Sequence, residues 1–167
     1  QIHQVLKELI ENKIDGVLVI MGDPPANNKP LSPLFPSKVT DELVKNGYKE
    51  NIEIYLSVPN NPDFKKITKK ISASPNGFVT QVIHNYEQAD KIYNYLRPKG
   101  FDVIPCILFP SNNNSKSAEF LKLDWSNYKE NFTEYVNQIH TLTNDILITS
   151  PNDFKGALDF FSGLNLD

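Results

Sequence analysis

The chain has 167 residues, a length that suits a single domain with a sizeable hydrophobic core. Its 17 basic and 20 acidic residues leave a net charge of −3, so the charge balance argues against nucleic acid as a partner. The single cysteine, Cys106, excludes an internal disulfide framework and suits a reducing, cytoplasmic location, and no apolar run approaches the length of a membrane span.

The predicted elements alternate between helix and strand along the chain. Short runs rich in β-branched residues predict five strands, at residues 16–21, 52–58, 77–83, 101–108 and 145–149. Apolar spacing and capping residues predict the helices, at 2–13, 37–45 with Ser37 as the cap, 62–72, from Asn85 to Gly100, near 116–123, 127–142 and from Pro151 to about 164. This alternation is typical of a parallel sheet with helical crossovers.

Two architectures share this alternation. One is an open, doubly wound sheet, and the other is a (β/α)₈ TIM-type barrel, of which these residues would supply about five βα units. Both place functional residues at the carboxyl ends of the strands. Polar residues do follow several predicted strands, namely Gly22-Asp23, Thr80-Gln81, His84-Asn85, Ser111-Asn112 and Thr149-Ser150.

Each of these signals also has a structural explanation. Gly22, Asp23 and the prolines that follow are common residues of a turn that ends a strand. Thr80 interrupts an apolar run, where an unpaired hydroxyl would be costly, so it is either satisfied by a nearby bond or part of a site. Gln81 either faces water or contacts a ligand.

Four motifs, in order, resemble the methylenetetrahydrofolate reductase family of flavin-dependent (β/α)₈ barrels. VLVIMGDPP looks like that family's strand ending in Arg-Gly-Asp-x-Pro, and VIPCILFPSN like its Pro-Gly-Ile strand. The other two motifs are KKITKKISASPNGFVTQ, which ends in the family's Thr-Gln, and NDILITSPNDFKGALDFFSGL, which is similar to its last strand and helix. The resemblance implies barrel strands four to eight in a single domain over residues 1–167, with three βα units upstream. It therefore also implies unpaired sheet edges, unless another subunit, the same or different, pairs with them.

The resemblance also implies an activity and a set of site residues. Hydride would pass from NAD(P)H through bound FAD to a methylene-tetrahydrofolate or related pterin. Asp23 would act in catalysis and contact both substrate and flavin, Gly22 would admit the flavin ring, and Gln81 would bind the pterin or nicotinamide. Asp63, Lys66 and Lys70, spaced three and four apart on a predicted helix, would contact the flavin ribityl and phosphate groups. The lysines alone are equally typical of a solvated helix face.

Several family residues are replaced in this chain. Met21 stands where the family has Arg, and the 59–62 segment is shorter than its flavin-contacting counterpart and lacks its aromatic residue and His. The family's proton-donating Glu belongs to the first barrel strand. Two alternatives therefore stay open: a non-catalytic barrel homologue that has lost flavin and acts as a partner subunit, and an unrelated doubly wound binding domain. The scattered His3, His84 and His140 do not predict a metal site.

Overall fold

The computed structural model describes residues 2–22 and 34–163. They form two compact units. The first unit is built from residues up to Val58 and from Pro62–Val79, and the second from Pro59–Asn61 and the residues from Thr80 onward. The boundaries between the units fall after residues 58, 61 and 79.

Helices and strands alternate as the sequence predicts. The strands are β1 (Gly16–Val19), β2 (Glu53–Val58), β3 (Gly77–Val82), β4 (Asp102–Leu108) and β5 (Leu147–Thr149). The helices are α1 (Ile2–Glu11), α2 (Pro36–Lys45), α3 (Thr68–Ser72), α4 (Tyr86–Leu96), α5 (Ser115–Phe120), α6 (Trp125–Glu130), α7 (Phe132–Thr143) and α8 (Phe154–Ser162).

The strands form one sheet in the order β1-β2-β3-β4-β5, which is their order along the chain. The pairs β1·β2 and β4·β5 are parallel, with Val17 opposite Ile54 and Ile107 opposite Ile148. The predicted α/β class with a parallel sheet is thus confirmed, and the sheet is compatible with part of a barrel.

The core of the first unit lies between the β1·β2 pair and helices α1 and α2. Leu6, Leu43, Ile52 and Ile54 are buried there, and Val17 packs against them. Alternate residues of β2 point away from this core, so Glu53 is exposed while Ile54 is fully buried. This period-2 pattern is what a strand with one covered face requires.

The core of the second unit is aromatic. Phe109, Tyr128 and Phe132 are buried together, with Trp125 and Phe160 packed against them. The Phe109 ring meets the Phe132 ring edge-on at a centroid distance of 6.0 Å, a favoured aromatic geometry. Trp125, Tyr128 and Phe132 therefore serve packing in this unit.

Three predicted helix starts are wrong. Ser37 does not cap α2, because the helix begins one residue earlier at Pro36, whose missing N–H suits the first turn. The predicted helix 62–72 is helical only from Thr68, after a turn over residues 64–67. The last helix begins at Phe154 rather than Pro151, and Asp153 is its cap.

One predicted helix is divided, and one predicted cap is confirmed. The segment 127–142 belongs to two helices, α6 and α7, which meet at Asn131. Asn85 caps α4 by accepting a hydrogen bond from Gln88 N, as the sequence predicts. Within residues 2–22 and 34–163, no helix is long and apolar enough to cross a membrane.

Candidate functional site

The end of β1 leads into the segment that carries the predicted catalytic residue. Asp23 lies outside the described residues, so its predicted role stays a prediction. Gly22 is exposed, and a Cβ added there would meet no atom within 4 Å. Within the described part of the chain, nothing approaches Gly22 closely enough to require glycine.

Asp63 and Lys66 lie in the first unit, in the turn before α3. Asp63 Oδ1 accepts a hydrogen bond from Lys65 N, which ties the carboxylate to the turn. The other carboxylate oxygen lies 3.7 Å from Lys66 Nζ. Both side chains are largely exposed, so this pair contributes little to stability and its ammonium group remains accessible from solvent.

Lys70 behaves differently from the neighbouring lysines. Its Nζ donates a 2.6 Å hydrogen bond to the carbonyl of Ser57, near the carboxyl end of β2. The side chain is partly buried, and burial lowers the pKa of its ammonium group. The Lys70 ammonium group is therefore held against the carboxyl end of β2.

Thr80 and Gln81 lie in the second unit at the end of β3. Thr80 is buried, and its Oγ1 accepts a 2.9 Å hydrogen bond from Cys106 N on β4. The Thr80 hydroxyl therefore has a hydrogen-bond partner on the neighbouring strand. This bond explains why a polar residue stands in the apolar run of β3. The Gln81 side chain is exposed and makes no hydrogen bond to any described residue, so its amide group is available.

His84 follows β3 and is held by Asn60. Asn60 Nδ2 donates to the Val82 carbonyl at 2.9 Å and lies 3.2 Å from His84 Nε2. A carbonyl can only accept, so the Asn60 nitrogen is the donor to both groups and His84 Nε2 is an acceptor. A hydrogen bond in this direction needs Nε2 without a proton, and burial lowers the pKa of the His84 imidazole.

The loops after β4 and β5 are joined by a polar network. The Ser111 hydroxyl donates to Asp153 Oδ2, and Asp153 Oδ1 accepts from Gly156 N at 3.1 Å. The fully buried Asn114 donates to the Phe109 carbonyl and to Ser150 Oγ, both at 3.0 Å. These side chains are satisfied by each other and by the backbone, so the network holds the two loops together.

The predicted site residues are divided between the units. Gly22, Asp63, Lys66 and Lys70 belong to the first, while Gln81 belongs to the second.

Sequence reasoning missed Asn60, Asn114 and Asp153. Asp153 has a local signal, since Asp directly before a helical run is a typical cap, whereas the partners of Asn60 and Asn114 are distant in sequence. Among the described residues, no three His, Cys, Asp or Glu side chains are placed to hold a metal ion.

The available donors suit an anionic group better than a metal ion. Lys66 and Lys70 supply two ammonium groups near one another in sequence, one exposed and one at a strand end. Ammonium groups such as these can pair with a phosphate or another anion. No protein-family model matches the chain, and no curated protein sequence matches it.

Proposed function

We propose that this chain forms part of a (β/α)-barrel oxidoreductase of the methylenetetrahydrofolate reductase type, acting in the cytoplasm. The proposed reaction moves hydride from NAD(P)H through FAD to a methylene-tetrahydrofolate or a related pterin. The four ordered sequence motifs carry the chemical part of this proposal.

The observation that best supports the fold part of this proposal is the strand order. A doubly wound sheet reverses its order at a switch point, as in 3-2-1-4-5-6 or 2-1-3-4-5. The five strands here follow chain order without a reversal. A barrel wound from consecutive βα units has this order, so the barrel is favoured over the doubly wound alternative.

The face of β1 that is turned away from helices α1 and α2 also supports a barrel. Leu18 within β1 is 42% exposed and Ile20 just after it is 61% exposed, although the other face of the strand packs on the unit's core. In a closed barrel, alternate residues of each strand point inward and are covered by the remaining strands. Apolar residues on this second face are what such a barrel requires.

The chain's own residues would have distinct parts in the reaction. FAD, when bound, supplies the hydride acceptor and donor. Lys70, with Lys66, would hold its phosphate, and the Lys70 ammonium would exchange the Ser57 carbonyl for a phosphate oxygen. The free amide of Gln81 would orient the pterin or nicotinamide, and Asp23 would supply a carboxylate beside the ring system.

A titration of the purified full-length protein with FAD tests this proposal. We expect bound flavin absorbance in the wild type, an affinity loss of about tenfold in Lys70→Ala from removing one charged hydrogen bond, and little change in the exposed neighbour Lys65→Ala. In turnover with NADPH and methylene-tetrahydrofolate, Gln81→Ala should lower the rate while retaining flavin. Equal FAD affinities for Lys70→Ala and Lys65→Ala would remove Lys70 from the site.

A non-catalytic partner subunit is the second candidate, and the 59–62 segment favours it. In place of an aromatic residue or histidine available to flavin, this segment offers Asn60, whose amide is occupied by Val82 and His84. Met21, where the resemblance expects an arginine, is 48% exposed and uncharged. A folded full-length protein that stays colourless and ignores added FAD would establish this candidate and exclude the first.

A further inference from the structure

The chain contains two Asn-Gly dipeptides, at residues 46–47 and 76–77. In such a dipeptide the backbone nitrogen of the glycine can attack the side-chain carbonyl carbon of the asparagine. Glycine favours this attack because it has no Cβ to obstruct the approach and because its backbone is conformationally free. An aromatic residue follows the glycine in both cases, so the local sequences are alike and the surroundings decide which asparagine reacts.

The first unit holds Asn76 against strand β2. Asn76 Oδ1 accepts a 2.9 Å hydrogen bond from Ile54 N, and Asn76 N donates to the Ile54 carbonyl at 2.7 Å. Gly77, the first residue of β3, is buried. Ring closure at Asn76 would therefore require the start of β3 to separate from β2, its neighbour in the sheet.

Asn46 is exposed and lies just after the carboxyl end of α2. Its Nδ2 donates to the Glu42 carbonyl at 2.8 Å, and Gly47 N donates to the Val44 carbonyl at 3.0 Å. Both acceptors belong to the end of the same helix, and helix ends open more readily than paired strands of a core. A Cβ added to Gly47 would meet no atom of the described residues within 4 Å, so there is room for a ring to form.

Two other exposed asparagines have the same arrangement at a helix end but are not followed by glycine. Asn12 Nδ2 donates to the Glu8 carbonyl at 2.7 Å, and Asn131 Nδ2 donates to the Asn127 carbonyl at 3.0 Å. The next residue is a lysine in the first case and a phenylalanine in the second. These two asparagines therefore share the exposure and hydrogen bonding of Asn46, but their attacking nitrogen belongs to a bulkier residue.

We propose that Asn46 is a site of spontaneous deamidation, whereas the fold protects Asn76. Gly47 N gives up its proton and bonds to Asn46 Cγ, the bond from Cγ to Nδ2 breaks, and the nitrogen leaves as ammonia. Water then opens the resulting succinimide at either carbonyl carbon, which leaves aspartate or isoaspartate at position 46. The net change is the addition of water and the loss of ammonia, so no oxidant or reductant takes part. This site is independent of the proposed reductase activity.

Deamidation would weaken the end of α2. Either product carries a carboxylate in place of the amide that donates to the Glu42 carbonyl, and a negative charge is unfavourable at the carboxyl end of a helix. Isoaspartate also lengthens the main chain next to Gly47, which has a φ of 77°. About one turn earlier, Leu43 is buried in the core of the first unit. We therefore expect deamidated protein to unfold at a lower urea concentration than fresh protein.

Ageing of the full-length protein in mildly alkaline buffer tests the proposal. Peptide mapping by mass spectrometry follows each asparagine, and an isoaspartate-specific methyltransferase labels the isoaspartate product. In the folded protein we expect Asn46 to react about tenfold or more faster than Asn76, because β2 and β3 restrain Asn76. Asn12 and Asn131 should also react slowly. In guanidinium chloride Asn76 should react at nearly the rate of Asn46, whereas Asn12 and Asn131 should stay slow because they lack the glycine.

Equal rates at Asn46 and Asn76 in the folded protein, or a rate at Asn46 no higher than at Asn12, would overturn the proposal. The variant Asn46→Gln keeps an amide group, but its longer side chain closes a ring much less readily. It should accumulate no product at position 46 and keep its urea midpoint on ageing, while the wild-type midpoint falls. An equal fall in the aged variant would contradict the role of Asn46 in this loss of stability.

Discussion

At the scale of single residues, Asp153 shows how the end of a strand is held. Its two carboxylate oxygens serve different elements, one accepting from Gly156 N at the start of α8 and the other from the Ser111 hydroxyl after β4. A Cβ on Gly156 would lie 2.7 Å from both of these oxygens. A side chain at position 156 would therefore displace the Asp153 carboxylate from its present position.

Removing the Asp153 carboxylate should destabilise the protein. We expect Asp153→Ala to lower the free energy of unfolding by about 1–2 kcal/mol, because α8 loses its cap and Ser111 loses its acceptor. The matched control is Asp159→Ala, which removes a carboxylate on the same helix whose ion-pair partner, among the described residues, is the exposed Lys155; its effect should stay within about 0.5 kcal/mol. Urea denaturation measures the free energy of unfolding of both variants. Similar losses of stability in the two would mean that the hydrogen bonds of Asp153 contribute no more to stability than an exposed ion pair does.

His84 should make stability depend on pH. Its folded-state pKa is lowered by burial, and protonation would place an N–H against the donating Asn60 amide. The unfolded chain therefore binds this proton at higher pH, near about 6.5. The contribution of neutral His84 to the free energy of unfolding is complete above that pH. It is lost as the pH falls through the folded-state pKa of His84.

The test compares wild type with His84→Gln, which keeps an acceptor for Asn60 but does not titrate. The wild type should lose stability relative to the variant between about pH 8 and about pH 5. Thermal unfolding at several pH values follows this difference. A difference that is constant with pH would mean that His84 titrates alike in the folded and unfolded states.

At the scale of elements, β3 and β4 are joined by a side chain as well as by backbone bonds. The Ile83 amide donates to the Cys106 carbonyl, and the Cys106 amide donates to Thr80 Oγ1, each at 2.9 Å. Thr80→Val keeps the shape but leaves the buried Cys106 amide without this acceptor. We expect a loss of about 1–3 kcal/mol.

Thr80→Ser is the control, because it keeps the acceptor oxygen and removes only a methyl group. Its loss, measured by urea denaturation alongside Thr80→Val, should be about 1 kcal/mol, in line with the burial of a single carbon. If the serine variant proves less stable than the valine variant, packing rather than the hydrogen bond explains the threonine at this position.

The elements were predictable where local signals act alone. Apolar periodicity locates α1 and α4, and the Asn85 cap is local, so both the helices and the cap follow from the sequence. The 62–72 prediction was wrong at its start because Asp63 caps a turn over residues 64–67 before the helix begins. The sequence alone does not show whether an Asp begins a turn or caps a helix. In both cases its side chain accepts a hydrogen bond from an amide group two or three residues ahead.

At the scale of the whole molecule, alternation predicts the parallel sheet but not the partners of its polar residues. Thr80 reaches Cys106, and Asn60 reaches Val82 and His84, across more than 20 residues of sequence. Such contacts depend on strand order, which alternation leaves open between the barrel and doubly wound arrangements.

Cys106 offers a measure of global stability, since it is the chain's single cysteine and lies on a buried strand. Burial raises the pKa of its thiol from 9.0 to about 11, which by itself lowers the thiolate fraction near neutral pH by about 100-fold. Labelling with a thiol-specific disulfide reagent should therefore be at least that much slower in the native protein than after denaturation. When labelling requires unfolding that is in equilibrium with the native state, Thr80→Val should accelerate labelling about tenfold for each 1.4 kcal/mol of stability lost, whereas Asp159→Ala should change the rate by about twofold or less. Rapid labelling of the native wild type would show that β4 opens locally, without unfolding of the chain.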